Sequence, residues 1–97
     1  MIQLGGRLSR EMFEIELSRK AEKFYRSADD KTVRILNRCF EVLSKKPFYH
    51  ANIKKLHGEF EGSYRYRTGG LRILYSVDGK EKIVYIEVIT DRGKSYR

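Results

Sequence analysis

From the amino end, the first regular signal is a strict alternation. Phe13, Ile15 and Leu17 are apolar while Glu14, Glu16 and Ser18 are polar, the period of a half-buried strand. The period then lengthens. Ala21, Phe24, Tyr25 and Ala28 share one side of a short helix that Ser18 can cap. A second helix is expected to begin near Asp29 or Asp30, whose carboxylates accept from the first free N–H groups and complement the helix dipole. Val33, Leu36, Phe40 and Leu43 form its stripe, widened by Ile35, Cys39 and Val42. Lys45 and Lys46 suit its last turn and Pro47 cannot continue it.

Residues 48–62 show no period and read as a loop carrying His50, Lys54, Lys55 and His57. Alternation returns at residues 62–77, with Tyr64 and Tyr66 on one side and Arg65 and Arg67 on the other. After a Gly69-Gly70 turn, Leu71, Ile73, Tyr75 and Val77 share one face, with Arg72, Leu74 and Ser76 on the other. Beyond the Asp78-Gly79 turn, Ile83, Val84, Tyr85, Ile86, Val88 and Ile89 make residues 82–90 apolar almost throughout. That run predicts a central strand buried on both faces. Residues 1–11, with Gly5-Gly6 and no period, are expected to be a flexible leader, Met12 being a natural alternative start. The fold class that follows is α+β in the order β-α-α-β-β-β, with two N-terminal helices on one face of a small, mainly antiparallel sheet. Residues 12–97 would form its single domain.

Composition narrows the function classes. A chain of 97 residues holds one modest core, and a net charge of +8 asks for an anionic partner. The longest apolar runs are far below a membrane span, and no signal-peptide pattern is present, so the default location is the cytoplasm. The lone Cys39 fits a reducing compartment and reads as a small core residue. One cysteine with His50 and His57 matches no zinc spacing, and the scattered carboxylates make no hard-cation cage. No metal or cofactor is expected.

The remaining chemistry lies in the hairpin, where Arg65, Arg67 and Arg72 converge on one face and residues 62–77 contain no carboxylate. Arginines on a sheet can simply be solvated, and basic composition alone favours that reading as much as a functional one. Arg92 and Tyr96, just past the last strand, shift the balance if the tail folds back onto that face. A tyrosine beside arginines offers a stacking surface for a base and a phenol for a phosphate. His57 is the better placed histidine for acid–base work, but a loop histidine without a task is the more economical reading.

These residues resemble the RelE/ParE superfamily of toxins from type II toxin–antitoxin pairs. The resemblance runs through Lys55-Leu56-His57-Gly58, Tyr64-Arg65-Tyr66-Arg67, Gly70-Leu71-Arg72-Ile73-Leu74-Tyr75 and the stretch from Arg92 to Tyr96, and covers the chain from Phe13 onward. It implies a small microbial RNase fold and, in the RelE branch, cleavage of mRNA in the ribosomal A site without a metal. Carried over by position, Arg65 and Arg67 match two basic residues of the second strand. Arg72 matches the third-strand arginine, and Arg92 and Tyr96 match the arginine after the last strand and the C-terminal tyrosine. Asp91 departs from the pattern, standing where many relatives have histidine or lysine, and the hairpin is shorter than in some members. The implied partners are a RelB-like antitoxin encoded next door, the ribosome and mRNA. Two other readings remain: a ParE-like inhibitor of DNA gyrase, and a basic module that binds RNA without cutting it.

Overall fold

A computed structural model describes residues 2–4 and 12–91. The predicted order is present: β2 (Glu14–Leu17), α1 (Arg19–Ser27), α2 (Asp30–Lys45), β4 (Ser63–Thr68), β5 (Leu71–Asp78) and β6 (Ile83–Asp91). Two short strands, β1 (Ile2–Leu4) and β3 (Ile53–Lys55), extend the sheet to six strands in the order β1-β2-β6-β5-β4-β3. Every pairing is antiparallel except β2 with β6, which run parallel.

The expected start and end signals operate as written. Ser18 caps α1 by accepting from the Ala21 N–H at 3.0 Å, and Asp29 caps α2 by accepting from the Thr32 N–H at 2.8 Å. Lys45 closes α2, and the Lys46 N–H reaches back to the Val42 carbonyl before Pro47. Both helices cover one sheet face. Phe13, just before β2, and Ile15 and Leu17 within it share one core with Leu36, Cys39, Phe40 and Leu43 of α2 and with Tyr66, Ile73, Tyr75, Val84 and Ile86 of the other strands. Each large apolar side chain buried this way stabilises the fold by about 1.5–3 kcal/mol. Rings fasten the chain after α2 to the sheet: Phe48 meets Phe13 and Tyr64 edge-on, Tyr64 stacks on Tyr75 at 5.5 Å, and the Tyr75 hydroxyl donates to the Pro47 carbonyl at 2.7 Å.

Three expectations are corrected. Within the expected leader, residues 2–4 pair with β2, Ile2 opposite Leu17 and Leu4 opposite Ile15; three residues are too few to show a period. The expected loop at residues 48–62 contains β3 and a 3₁₀ turn at Gly58–Phe60. The strand Ile-Lys-Lys has no apolar alternation, and pairing with β4 alone defines it. The last strand is central as expected but is buried on one face only: Val84, Ile86 and Ile89 are buried while Ile83, Tyr85 and Val88 are half-buried. Its near-continuous apolar run joins two half-runs of opposite parity. Tyr75 pairs with Ile86 and Leu74 with Val88, so Glu87 is an extra residue that switches which side faces the core.

The bulge also anchors the first helix. The Ser18 hydroxyl donates to the Glu87 carbonyl at 2.7 Å, the Ser18 N–H donates to the Ile86 carbonyl at 2.9 Å, and the Glu87 carboxylate accepts from the Ser76 hydroxyl at 2.9 Å. One serine therefore ends β2, starts α1 and holds the bulge. Cys39 is 1% exposed, and burial pushes its thiol up to about 12, which makes it a core residue and not a nucleophile near neutrality. No described helix is long and apolar enough to cross a membrane.

Ser18→Ala removes the cap and the tie to Glu87 together, so it is expected to cost about 1–2 kcal/mol in urea unfolding. A loss below about 0.5 kcal/mol, the range of an ordinary surface change, would show that the bulge does not depend on this residue.

Candidate nucleic-acid interface

The site begins with its turn. Gly69 and Gly70 have φ of +52° and +83°, the double positive φ of a two-residue type I′ hairpin, which side chains with a Cβ adopt poorly. A two-residue turn leaves no freedom of register. Thr68 pairs with Leu71, which sets Arg67 directly opposite Arg72 and Arg65 opposite Leu74. Directly opposed residues have Cβ atoms about 4.5–5.5 Å apart. Arg65, Arg67 and Arg72 are thus brought together on the face turned away from the helices, as the alternation predicts. Pairing of β3 with β4 adds Lys54, opposite Arg65 on the same face.

The electrostatics of this cluster are unfavourable in isolation. The half-buried Arg65 guanidinium is held below its ordinary range, first by desolvation and then by repulsion from Arg67 and Arg72; it remains a cation. Its Nε–H is buried with no acceptor among the described residues. A buried charged donor without a partner is uncommon enough to require an explanation, and an anion brought from outside supplies one. The neighbouring part of the same face is apolar: Leu74 and Val88 pair across β5 and β6 and are half-buried. Farther along, around Tyr85, the sign reverses. The Tyr85 phenol is pushed up by desolvation and by Glu16, Asp78 and Glu81. The open face is therefore basic at the β3–β4–β5 side, apolar beside it and acidic toward β2, which orients any polyanion laid upon it.

Arg92 and Tyr96 lie outside the described residues, as does the expected return of the tail. Asp91, the last described residue, is the register partner of Leu71, and Thr90 that of Arg72. His57 is exposed just before the 3₁₀ turn and makes no side-chain cap. His50 stacks on Tyr66 with centroids 5.5 Å apart, and its Nδ1 accepts from the Asn52 N–H at 3.1 Å. Sequence reasoning missed Lys54 as a fourth cation because only strand pairing puts it on this face. Among the described residues no group of histidine, cysteine and carboxylate side chains could hold a metal ion.

No protein-family model matches the sequence, and no curated protein does. Solved structures do. The chain is similar to the RelBE2 toxin–antitoxin complex of Mycobacterium tuberculosis, with a TM-score of 0.75 and 21% identity over 89% of this chain and 98% of that one. It is similar to the archaeal RelE–RelB complex of Pyrococcus horikoshii, with a TM-score of 0.72 and 25% identity over 86% and 98%. The intact E. coli RelBE complex matches with a TM-score of 0.63 and 24% identity over 82% and 95%. The chain has the fold of the RelE/ParE toxin superfamily.

Opposed arginines have a measurable consequence in the free protein. Arg72→Gln is expected to leave stability unchanged or raise it by about 0.2–1 kcal/mol at low salt, with the gain shrinking as salt screens the repulsion. Urea unfolding at low and high ionic strength measures this. A loss above about 1 kcal/mol would mean that the guanidinium serves the fold itself.

Proposed function

With the RelE/ParE toxin fold as its frame, we propose that this protein is the toxin of a type II toxin–antitoxin pair and a ribosome-dependent endonuclease of mRNA. The observation that carries this reading is the cluster of Arg65, Arg67 and Arg72 on the open sheet face, with the Arg65 Nε–H buried and without an acceptor among the described residues. RNA cleavage by this route has the 2′-hydroxyl attack the adjacent phosphorus in line while the 5′-oxygen leaves, with negative charge gathering on the phosphoryl oxygens. Preset guanidinium groups stabilise that charge without reorganising. In this reading they supply the positive charge, and the activity is metal-independent.

Arg65, Arg67 and Arg72, by their place on the open face, clamp the phosphate. Arg92 and Tyr96 lie outside the described residues and take their roles from the resemblance alone, Arg92 on the leaving-group side and Tyr96 stacking on or orienting the nucleotide. Leu74 and Val88 give the sugar or base an apolar shelf next to the clamp. Arginine, with a pKa above about 12, does not serve as a base near neutrality. Deprotonation of the 2′-hydroxyl therefore falls to Tyr96, His57 or a group of the ribosome, which also holds the message in line. Such a protein works in the cytoplasm. It is held in check by an antitoxin whose toxin-binding segment is acidic and neutralises the cationic face, a segment that folds on binding and covers a large surface.

Purified protein in a translating extract tests the reading, with site-specific cutting of the message as the expected result. Arrest of DNA supercoiling without cutting would move it to the gyrase-inhibitor branch, and RNA binding alone to a non-catalytic module. In single-turnover cleavage of a programmed ribosome at saturating protein, Arg92→Ala and Tyr96→Phe should slow cutting far more than they weaken ribosome binding, because contacts made in the transition state appear in rate. Arg92→Lys should recover only part of the rate, since a point charge does not reproduce a planar fork. Wild-type rates in both Arg92→Ala and Tyr96→Phe would remove these assignments.

The antitoxin is checked genetically. Co-expression with the adjacent small gene should restore growth and yield a stable complex; neither rescue nor co-purification would leave the pairing without support.

A further inference from the structure

The strongest feature outside the arginine face is a cavity of about 230 Å³ on the helix side of the sheet, between α2 and the end of β4. That is the liquid volume of roughly seven or eight waters. Ile35, Cys39 and Tyr66 line it as an apolar floor, Thr68 adds a hydroxyl, and Lys31, Arg34 and Arg38 stand at its rim. The lining contains three cations and no carboxylate. The cations follow the i, i+3, i+7 spacing of one helix side, over about 10 Å of axis, and all three are exposed. The Tyr66 ring is braced from the loop side by His50, stacked at 5.5 Å.

The cavity and the arginine face are separated only by the thickness of β4. Successive strand residues point to opposite faces, so Thr68 lines the cavity while Arg67 belongs to the clamp. Pairing with β3 stops at Ile53 opposite Tyr66. Past that pair, among the described residues, Asn52 takes over the edge of β4 and exchanges hydrogen bonds with the Arg67 backbone at 2.7 and 3.1 Å. The hairpin tip lies against α2, a Cβ on Gly69 being 3.4 Å from Ile35 Cδ1. A single strand lying on the clamp can therefore round the sheet edge at the tip and continue into the cavity.

We propose that this cavity is a second RNA subsite, taking one unstacked base on its Tyr66 and Ile35 floor while Arg34, Arg38 and Lys31 hold the flanking phosphates. The inference rests on the reading of the arginine face as an RNA clamp and extends the bound strand beyond it. A base needs a flat apolar slot next to cations, and single-stranded RNA is read in this way. An acidic protein segment would answer the same charge, but it has no comparable reason to follow the cations around the edge onto the clamp.

The test is fluorescence anisotropy of a labelled single-stranded RNA 12-mer, and of the same length of abasic RNA, over a salt series. Probes are titrated with the wild type, the pair Arg34→Gln/Arg38→Gln, Arg72→Gln and the turn control Lys80→Gln. The α2 pair should bind RNA roughly tenfold more weakly at about 0.1 M salt and lower the slope of log affinity against log salt by about 1.4, or about 0.7 per lost phosphate. It should also show a smaller preference than the wild type for RNA with bases over abasic RNA, while Lys80→Gln stays within about twofold of wild type. An unchanged slope and preference in the α2 pair, with weakened binding in Arg72→Gln, would overturn this inference and leave the clamp. Weakened binding in the α2 pair with none in Arg72→Gln would overturn the clamp instead. Polyglutamate affinity that falls in the α2 pair while its RNA affinity stays at the wild-type value would assign the cavity to an acidic protein and overturn the RNA subsite.

Discussion

The parallel pairing of β2 with β6 is the contact on which the other features depend. It joins the start of the domain to its end, with Glu14 opposite Ile83 and Leu17 opposite Ile86, across a separation whose closure entropy must be met by burial. A parallel neighbour cannot be reached by a tight turn, so the intervening chain has to cross over the sheet. Both helices lie in that crossing and settle on one face, where their apolar stripes meet those of β2, β5 and β6. Among the described residues no helix covers the opposite face. Ser18 sits where the crossing begins and, through Glu87, links it to the strand it must eventually join.

That asymmetry explains how a small basic protein can hold a strongly charged surface without weakening its core. The apolar residues needed for stability are spent on the helix side, including Tyr75, which is fully buried with its hydroxyl satisfied by Pro47. Residues of the same strands that point the other way are released from packing and can carry charge. The Gly69-Gly70 turn converts this freedom into geometry, because its two positive φ values set the register that opposes Arg67 to Arg72. Replacing either glycine would disturb the relation between these arginines before it disturbed the core.

Much of this was legible in the sequence because it rests on short-range rules. Ser18, Asp29 and Pro47 mark helix ends by local chemistry, and Gly69-Gly70 with its flanking alternation marks both the hairpin and its arginine face. The parts that were missed depend on pairing between distant segments. The strand at residues 2–4 and the strand Ile53–Lys55 exist through their partners, and with the second of these went the recognition of Lys54 as part of the site. The Glu87 bulge was concealed in a different way: by switching parity it makes two one-sided runs look like a single two-sided one. Lys31, Arg34 and Arg38 went unremarked in the sequence, because it is β4 that supplies the floor they surround.

The repulsion kept among Arg65, Arg67 and Arg72 is itself informative. Opposed like charges cost stability in the free protein, and partial desolvation of Arg65 adds to that cost. Lysines could swing apart on flexible stems to relieve it, whereas arginine's planar fork loses less freedom for each bond it makes and meets phosphate in a two-pronged contact. A face built this way is tense when empty and relaxed when an anion sits in it, so the binding energy of a phosphate includes the relief of that tension. In the proposed function the same property is what an acidic partner would exploit, since neutralising the cluster would stabilise the protein while closing the face to RNA.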